Sequence, residues 1–216
     1  MIQPIETMQP SDLLVETLPG RRWVHDLHAE IAAFDELAQV TAAEPHRTLQ
    51  ALIDAVLGLY GAGSAGLSVL RPGSCGHMDF VWEAVSGALA AHQGDGTPRD
   101  FSPCGLCLDI GTAVVLARPE RVFTYLARVQ PTIFQALIVP LYDDDHAPLG
   151  ALWVVHHDPV ARFGVGDVSI IERLAAPLAL ALERARQPDE SPAVEPAGQS
   201  ADRRAPPPVS DPERGT

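Results

Sequence analysis

The sequence predicts an α+β domain, a central antiparallel sheet with terminal helices packed on one of its faces. Three observations carry that expectation. Apolar residues recur every three or four positions near both ends of the globular stretch, they alternate with period two in between, and most of the alternating segments are joined as hairpins.

The elements follow in order. Residues 24–40 place Leu27, Ile31, Phe34, Leu37 and Val40 on one helical face. Pro45 interrupts, and a second helix follows with Leu49, Leu52, Ile53, Val56 and Leu57 as its stripe. Two strands, 64–70 and 80–86, pair around the turn Arg71-Pro72-Gly73-Ser74. A Gly-rich loop, 87–97, leads to the unusual run 99–109, where Ser102-Pro103 marks a helix start. A short strand at 113–116 precedes a helix beginning near Pro119 and carrying Val122, Phe123 and Leu126. Strands 136–142 and 149–156 flank the tip Asp143-Asp144-Asp145-His146-Ala147-Pro148. The last helix carries Val168, Ile171, Leu174, Ala175, Leu178 and Leu182, with Asp167 at its dipole-positive start. Pro177 inside it removes a hydrogen bond and predicts a kink.

These elements occupy residues 23–186. Residues 1–22 read as a loose lead-in with a helical turn at 11–16. Residues 187–216 contain seven prolines and few large apolar side chains, too little buried surface to offset ordering entropy, so they read as a disordered tail.

Composition excludes several functions. The 28 acidic residues outnumber the 15 basic ones, and the net charge of −13 would repel nucleic acid and anionic membranes alike. The N-terminus has neither a basic start nor an apolar run and is not expected to be a secretory signal. The longest apolar stretch, 174–182, is too short to cross a bilayer. Three cysteines, Cys75, Cys104 and Cys107, cannot all pair within one chain, and reduced thiols in a cytoplasm are the simplest expectation. Every basic residue is Arg, and the chain contains neither Lys nor Asn.

The segments Leu137-Ile138-Val139-Pro140-Leu141 and Pro148-Leu149-Gly150-Ala151-Leu152-Trp153-Val154-Val155, with the element order above, resemble the GAF domain from about Leu27 to Leu182. The run Pro98-Arg99-Asp100-Phe101-Ser102-Pro103-Cys104-Gly105, then Pro119-Glu120-Arg121, Leu152-Trp153 and His157-Asp158, resembles the GAF domains found ahead of bacterial sensor histidine kinases. The resemblance implies a small-molecule pocket formed by connecting helices and loops on the sheet face opposite the terminal helices. It also implies a non-catalytic sensing or protein-interaction role in bacterial signal transduction. Only the Pro-rich stretch follows the domain here, so signalling is expected to pass through a homodimer, that tail, or a separate protein such as a histidine kinase. The apolar stripes on the first and last helices motivate the dimer.

Pocket candidates follow from that implied fold. Trp82, Phe101, Phe123, Tyr125 and Trp153 lie on the surrounding elements, with Arg99, Ser102, Cys104 and Asp109 as possible polar groups; core packing is the competing reading for each ring. The Cys104-x-x-Cys107 pair is open to three readings: packing, redox reactivity at Cys104, or zinc with Cys75 and His77. Free methionine-R-sulfoxide reductases look similar at Cys104-Gly105, which leaves a thiol-dependent enzyme as an alternative, and a ligand-free scaffold as another. The reductases' other cysteines would fall near Gly94 and near 128–131, where this chain has none. Cyclic-nucleotide GAF domains carry an Asn-Lys motif and bilin-binding ones a Cys-His dipeptide, and neither is present. Haem would need an axial ligand such as His77, His92, His156 or His157. Alternation places Trp153, Val155 and His157 on one strand face and Leu152, Val154 and His156 on the other. His157-Asp158 is a candidate proton relay, though loop anchoring is the simpler role. The aspartate run 143–145 lacks the ligand spacing of a calcium loop and reads as a solvated tip.

Overall fold

A computed structural model of the chain describes residues 45–73 and 76–186. The helix expected at 24–40, the lead-in, the tail and Cys75 lie outside the described residues. Helix α1 (Pro45–Tyr60) begins at the proline that interrupts the preceding pattern. Its stripe of Leu49, Leu52, Ile53 and Val56 is fully buried and Leu57 only partly so, with Tyr60 closing the face.

Six strands follow: β1 (Ser64–Pro72), β2 (Met78–Gly87), β3 (Gly96–Pro98), β4 (Val114–Ala117), β5 (Gln135–Tyr142) and β6 (Pro148–His156). They form one antiparallel sheet in the order β3-β2-β1-β6-β5-β4. The β1–β2 and β5–β6 hairpins meet at the central β1–β6 pair. Helix α2 (Pro103–Ile110) lies between β3 and β4, and α3 (Val165–Arg186) closes the described chain.

Two elements differ from the sequence expectation. Residues 96–98, expected within a loop, pair with β2 as an edge strand, and Pro98 at its end leaves no N–H for a further partner. The helix expected at Pro119 is two separate 3₁₀ turns, Pro119–Arg121 and Thr124–Arg128. Val122, Phe123 and Thr124 are weak helix formers in succession, and Phe123 leaves the helical region at ψ 79°. As expected, Pro177 lies inside α3, and Leu174 and Leu178 on either side of it are both fully buried. Packing of the apolar face outweighs the lost hydrogen bond there.

The central strands bury both faces. On one, Ala65, Leu67, Val69, Leu137, Val139, Leu152 and Val154 meet Leu49, Leu52, Ile53 and Val56 of α1 and Ile171, Leu174, Leu178 and Leu182 of α3. On the other, Phe80, Trp82, Val85, Ala136, Ile138, Trp153 and Val155 meet α2 and the 3₁₀ turns. Alternation supplies both sets from the same strands. In β2 it changes phase: Leu67 pairs with Ala84 but Ser68 with Trp82, so Glu83 is an extra residue in a bulge. Phe80 and Trp82 therefore face the second layer while Ala84 faces the helices.

The two ends of α3 are tied to the sheet. Asp167 accepts from the N–H of Gly164 at 2.7 Å, and the N–H of Phe163 donates to buried Gln135 at 2.7 Å. At the far end the Arg186 guanidinium donates to the carbonyls of Leu70 and Leu149, at 2.9 and 2.8 Å.

His156, at the end of β6, stacks on Phe163 with centroids 4.2 Å apart. Burial there lowers its pKa below the usual imidazole value, against the opposing pull of Asp167 and Asp158. The unfolded chain then binds a proton at that position more readily than the folded one, so His156 destabilises the fold progressively as pH falls below about 6.5. We expect the thermal midpoint to drop from about pH 7.5 to about pH 5.5, and to drop less in His156→Gln, as measured by circular dichroism melts.

Candidate functional site

Helix α2 sets the site. Ser102, extended at φ −152°, caps it by accepting from the N–H of Gly105 at 3.0 Å, and Pro103 takes the first helical position. Gly111 ends it in the left-handed region at φ 78°. A methyl group at Gly105 would overlap the Arg99 carbonyl, so this glycine lets α2 press against the 3₁₀ turn Arg99–Phe101. On the outer side the Arg99 guanidinium hydrogen-bonds Asp109, which raises its pKa further and staples the turn to the end of the helix.

Between this corner and the sheet lies a cavity of about 40 Å³, open on one side. Its floor is Ala136, Ile138, Trp153 and Val155 from β5 and β6, with Trp82 from β2. Thr97 and Leu89 close one side, Pro103 and Cys104 of α2 another, and Pro119, Tyr125, Leu126 and Ile133 cover it. The walls are almost wholly apolar. At roughly 10–15 Å³ per water-sized occupant, the volume holds about three waters.

Trp153 is held by its neighbours. Its strand partner is Gly66, and a methyl there would overlap the indole, so the ring lies across the glycine backbone. This reach lets Nε1 donate to Ser68 at 3.0 Å. Trp82 packs on Trp153 at 5.3 Å between centroids.

Of the expected pocket residues, Trp82, Cys104, Tyr125 and Trp153 line the cavity, and five do not. Arg99 and Asp109 neutralise one another on the surface. Ser102 is spent as the helix cap. Phe101 and Phe123 pack on each other at 5.5 Å behind the wall, with Phe101 also supporting Tyr125 at 6.1 Å. Sequence reasoning missed Thr97, Leu89, Pro103, Pro119, Leu126, Ile133, Ala136, Ile138 and Val155. The strand residues among them were recoverable, because Ile138 pairs with Trp153 and Ala136 with Val155 and so share its face.

The thiols are packed rather than exposed. Burial pushes the Cys104 thiol up to about 11, with Ser68 opposing weakly, and raises that of Cys107 further. Cys107 donates to the carbonyls of Thr112 and Ile138 at 3.4 and 3.5 Å. Both are neutral thiols near pH 7, poor nucleophiles and poor metal ligands. Among the described residues no cluster of His, Cys, Asp or Glu is placed to hold a metal ion.

The histidines have other roles. His92 pairs with Asp95 at 2.9 Å. His157 is not engaged with Asp158: its Nδ1 meets the Thr132 carbonyl at 3.0 Å and its Nε2 the Ser64 hydroxyl at 2.9 Å. That hydroxyl also accepts from the N–H of Leu89 at 3.0 Å, so the pair anchors loops and no proton relay forms. Asp143 accepts from the N–H groups of Asp145 and Ala147, which makes it the cap of the β5–β6 tip.

An antiparallel sheet with helices on one face and a small, one-sided apolar cavity on the other defines an α+β domain built around that cavity. The chain belongs to the GAF domain family, whose match spans residues 42–183. No curated protein matches it. Among solved structures it is similar to the free methionine-R-sulfoxide reductase of Neisseria meningitidis in complex with its substrate, with TM-score 0.61 and 19% identity over 74% of this chain and 90% of that one. It is also similar to the GAF domain of an Acinetobacter phosphoenolpyruvate-protein phosphotransferase, with TM-score 0.61 and 14% identity, covering 76% and 96% of the two chains. The phycoerythrobilin-bound GAF domain of a cyanobacterial phytochrome gives TM-score 0.60 and 12% identity, covering 76% and 97%. At such identities these likenesses establish the fold.

The seat of Trp153 has a direct test. Gly66→Ala should displace the indole, break its bond to Ser68 and destabilise the fold by about 1–3 kcal/mol. Urea unfolding would read the loss, and near-ultraviolet circular dichroism the moved ring.

Proposed function

We propose that this domain senses a small molecule held in the cavity and passes its occupancy to α1 and α3, without chemistry on the ligand. The observation that carries the reading is the apolar hollow walled by Trp82, Trp153, Cys104 and Tyr125. Concave, mostly apolar spaces with a few convergent polar groups are what small-ligand sites require. A route to the helices is supported by alternation: Ile138 borders the cavity, while Leu137 and Val139 beside it pack in the helix layer. A ligand that shifts the backbone of β5 would move both.

The proposed output is a homodimer through the helix layer, or a separate signalling protein such as a histidine kinase, in a cytoplasmic setting. Among the described residues no helix is long and apolar enough to cross a membrane. Partly exposed apolar side chains on α3, including Leu180 and Val165, support a partner on that side.

A reductase would need an attacking thiolate and a resolving thiol. Burial of Cys104 and Cys107 in their protonated forms, with Gly94 and residues 128–131 offering no thiol, supports binding over catalysis.

Three measurements test this. Native mass spectrometry of freshly purified protein, with thermal shifts across a metabolite panel, should reveal a bound small molecule; no adduct and no shift would leave a scaffold. The full chain should show no NADPH-coupled reduction of free methionine sulfoxide. Turnover that Cys104→Ser abolishes would overturn the non-catalytic reading. Light scattering should give a dimer at micromolar concentration, and a strict monomer would remove that part.

A further inference from the structure

The loops anchored by Ser64 and His157 carry two walls of the cavity, and that link gives the site a means of control, an inference that rests on the ligand-binding reading above. Leu89 and Ile133 line the cavity from connecting segments far apart in sequence. Both segments are tied to one imidazole. The N–H of Leu89 donates to Ser64 Oγ at 3.0 Å, and that oxygen lies 2.9 Å from His157 Nε2. On the other side of the ring, Nδ1 lies 3.0 Å from the carbonyl of Thr132, the residue before Ile133. Among the described residues this is the only hydrogen bond that residues 130–133 make, and they belong to no helix or strand.

The partners fix where the hydrogens sit. A carbonyl only accepts, so Nδ1 carries a hydrogen, and in the neutral ring Nε2 takes the hydrogen of the Ser64 hydroxyl. In a charged ring Nε2 would donate, and the hydroxyl would turn to the Gly63 carbonyl 2.8 Å away, so the link persists in either state. The seat of the ring is equally specific. A methyl group at Gly63 would overlap the imidazole, and glycine there lets the ring lie against the start of β1. Ser64 is fully buried, so water does not stand in for a lost partner. It also pairs with Val155 of the cavity floor, which roots the link in the central strands rather than in either loop.

We propose that Ser64 and His157 are positioning residues that hold the Leu89 and Ile133 walls at a fixed separation and so control how far the cavity opens. Losing the link frees both walls and leaves the floor of Trp82 and Trp153 in place.

Acrylamide, a small neutral quencher of indole fluorescence, measures that access directly, because Trp82 and Trp153 line the cavity. Every sample is the full chain carrying Trp23→Phe, which removes the third tryptophan. Ser64→Ala and His157→Gln should each raise the quenching constant by about three- to tenfold, the shift in a local opening equilibrium when one buried hydrogen bond is lost. Gly63→Ala should do the same by displacing the ring while both hydrogen-bonding side chains remain. Ile53→Val, in the helix layer, controls for general loosening and should leave quenching unchanged. All are read without denaturant, where circular dichroism shows the native fold. Unchanged quenching in Ser64→Ala and His157→Gln overturns the proposal, as does an equal rise in Ile53→Val. Should His157→Gln fail to fold, Ser64→Ala and Gly63→Ala carry the same two outcomes. Access is measured with no physiological ligand present, so the mass spectra that test ligand binding can fail while this control of the walls stands, and the reverse.

Discussion

Strands β1, β5 and β6 must satisfy two apolar layers at once, and the rest of the molecule follows from how differently those layers are built. Their burial is nearly continuous, with every residue of β5 buried except Tyr142. On one side two long helices of 16 and 22 residues lay unbroken rows of Leu, Ile and Val against the sheet. On the other, the cover is an eight-residue helix and short 3₁₀ turns, whose backbones bend too often to present a continuous row. Large rings span the gaps: Trp82, Trp153, Phe101, Phe123 and Tyr125 all belong to this side. Rigid rings bridged over short elements leave space between them, whereas aliphatic side chains on long helices interdigitate to high density. The cavity is thus a product of the covering architecture, seated where the rings meet.

Much of the framework was legible in the sequence. Strands β5 and β6 announce themselves because both faces are apolar and the tip between them is polar, and α1 and α3 because their stripes are long. Less was legible where a single residue decides. The bulge at Glu83 breaks the alternation of β2, and nothing in the local sequence marks it. Edge strand β3 has only three residues, too few for a period to show. The turns after Pro119 carry helix-like spacing of Val122, Phe123 and Leu126, yet three poor helix formers in a row prevent the helix.

The candidate site divides the same way. Aromatic residues could be nominated from their elements, and two of the five prove to sit behind the wall rather than on it. Arg99 and Asp109 look like ligand-binding polar groups until the geometry brings them together. A separation of ten positions, through a turn and a helix, hides that pairing from the sequence. Ser102 was visible as a residue beside a helix start, and capping uses up its oxygen. The Cys104-Gly105 pair shows the same economy: the glycine is required by a close backbone approach, and the cysteine fills apolar space beside Ser68.

The extra residue at position 83 behaves like a punctuation mark in a message read two letters at a time. Before it, the even-numbered side chains Phe80 and Trp82 face the cavity layer; after it, Val85 does. Deleting that one residue would leave an ordinary alternation in which Phe80, Trp82 and Val85 keep the cavity side and Ala84 the helix side, whereas deleting one without the bulge to absorb it would turn a run of side chains to the wrong face. Position 83 is therefore where homologous chains can differ by one residue in this strand and still present the same rings to the same layer.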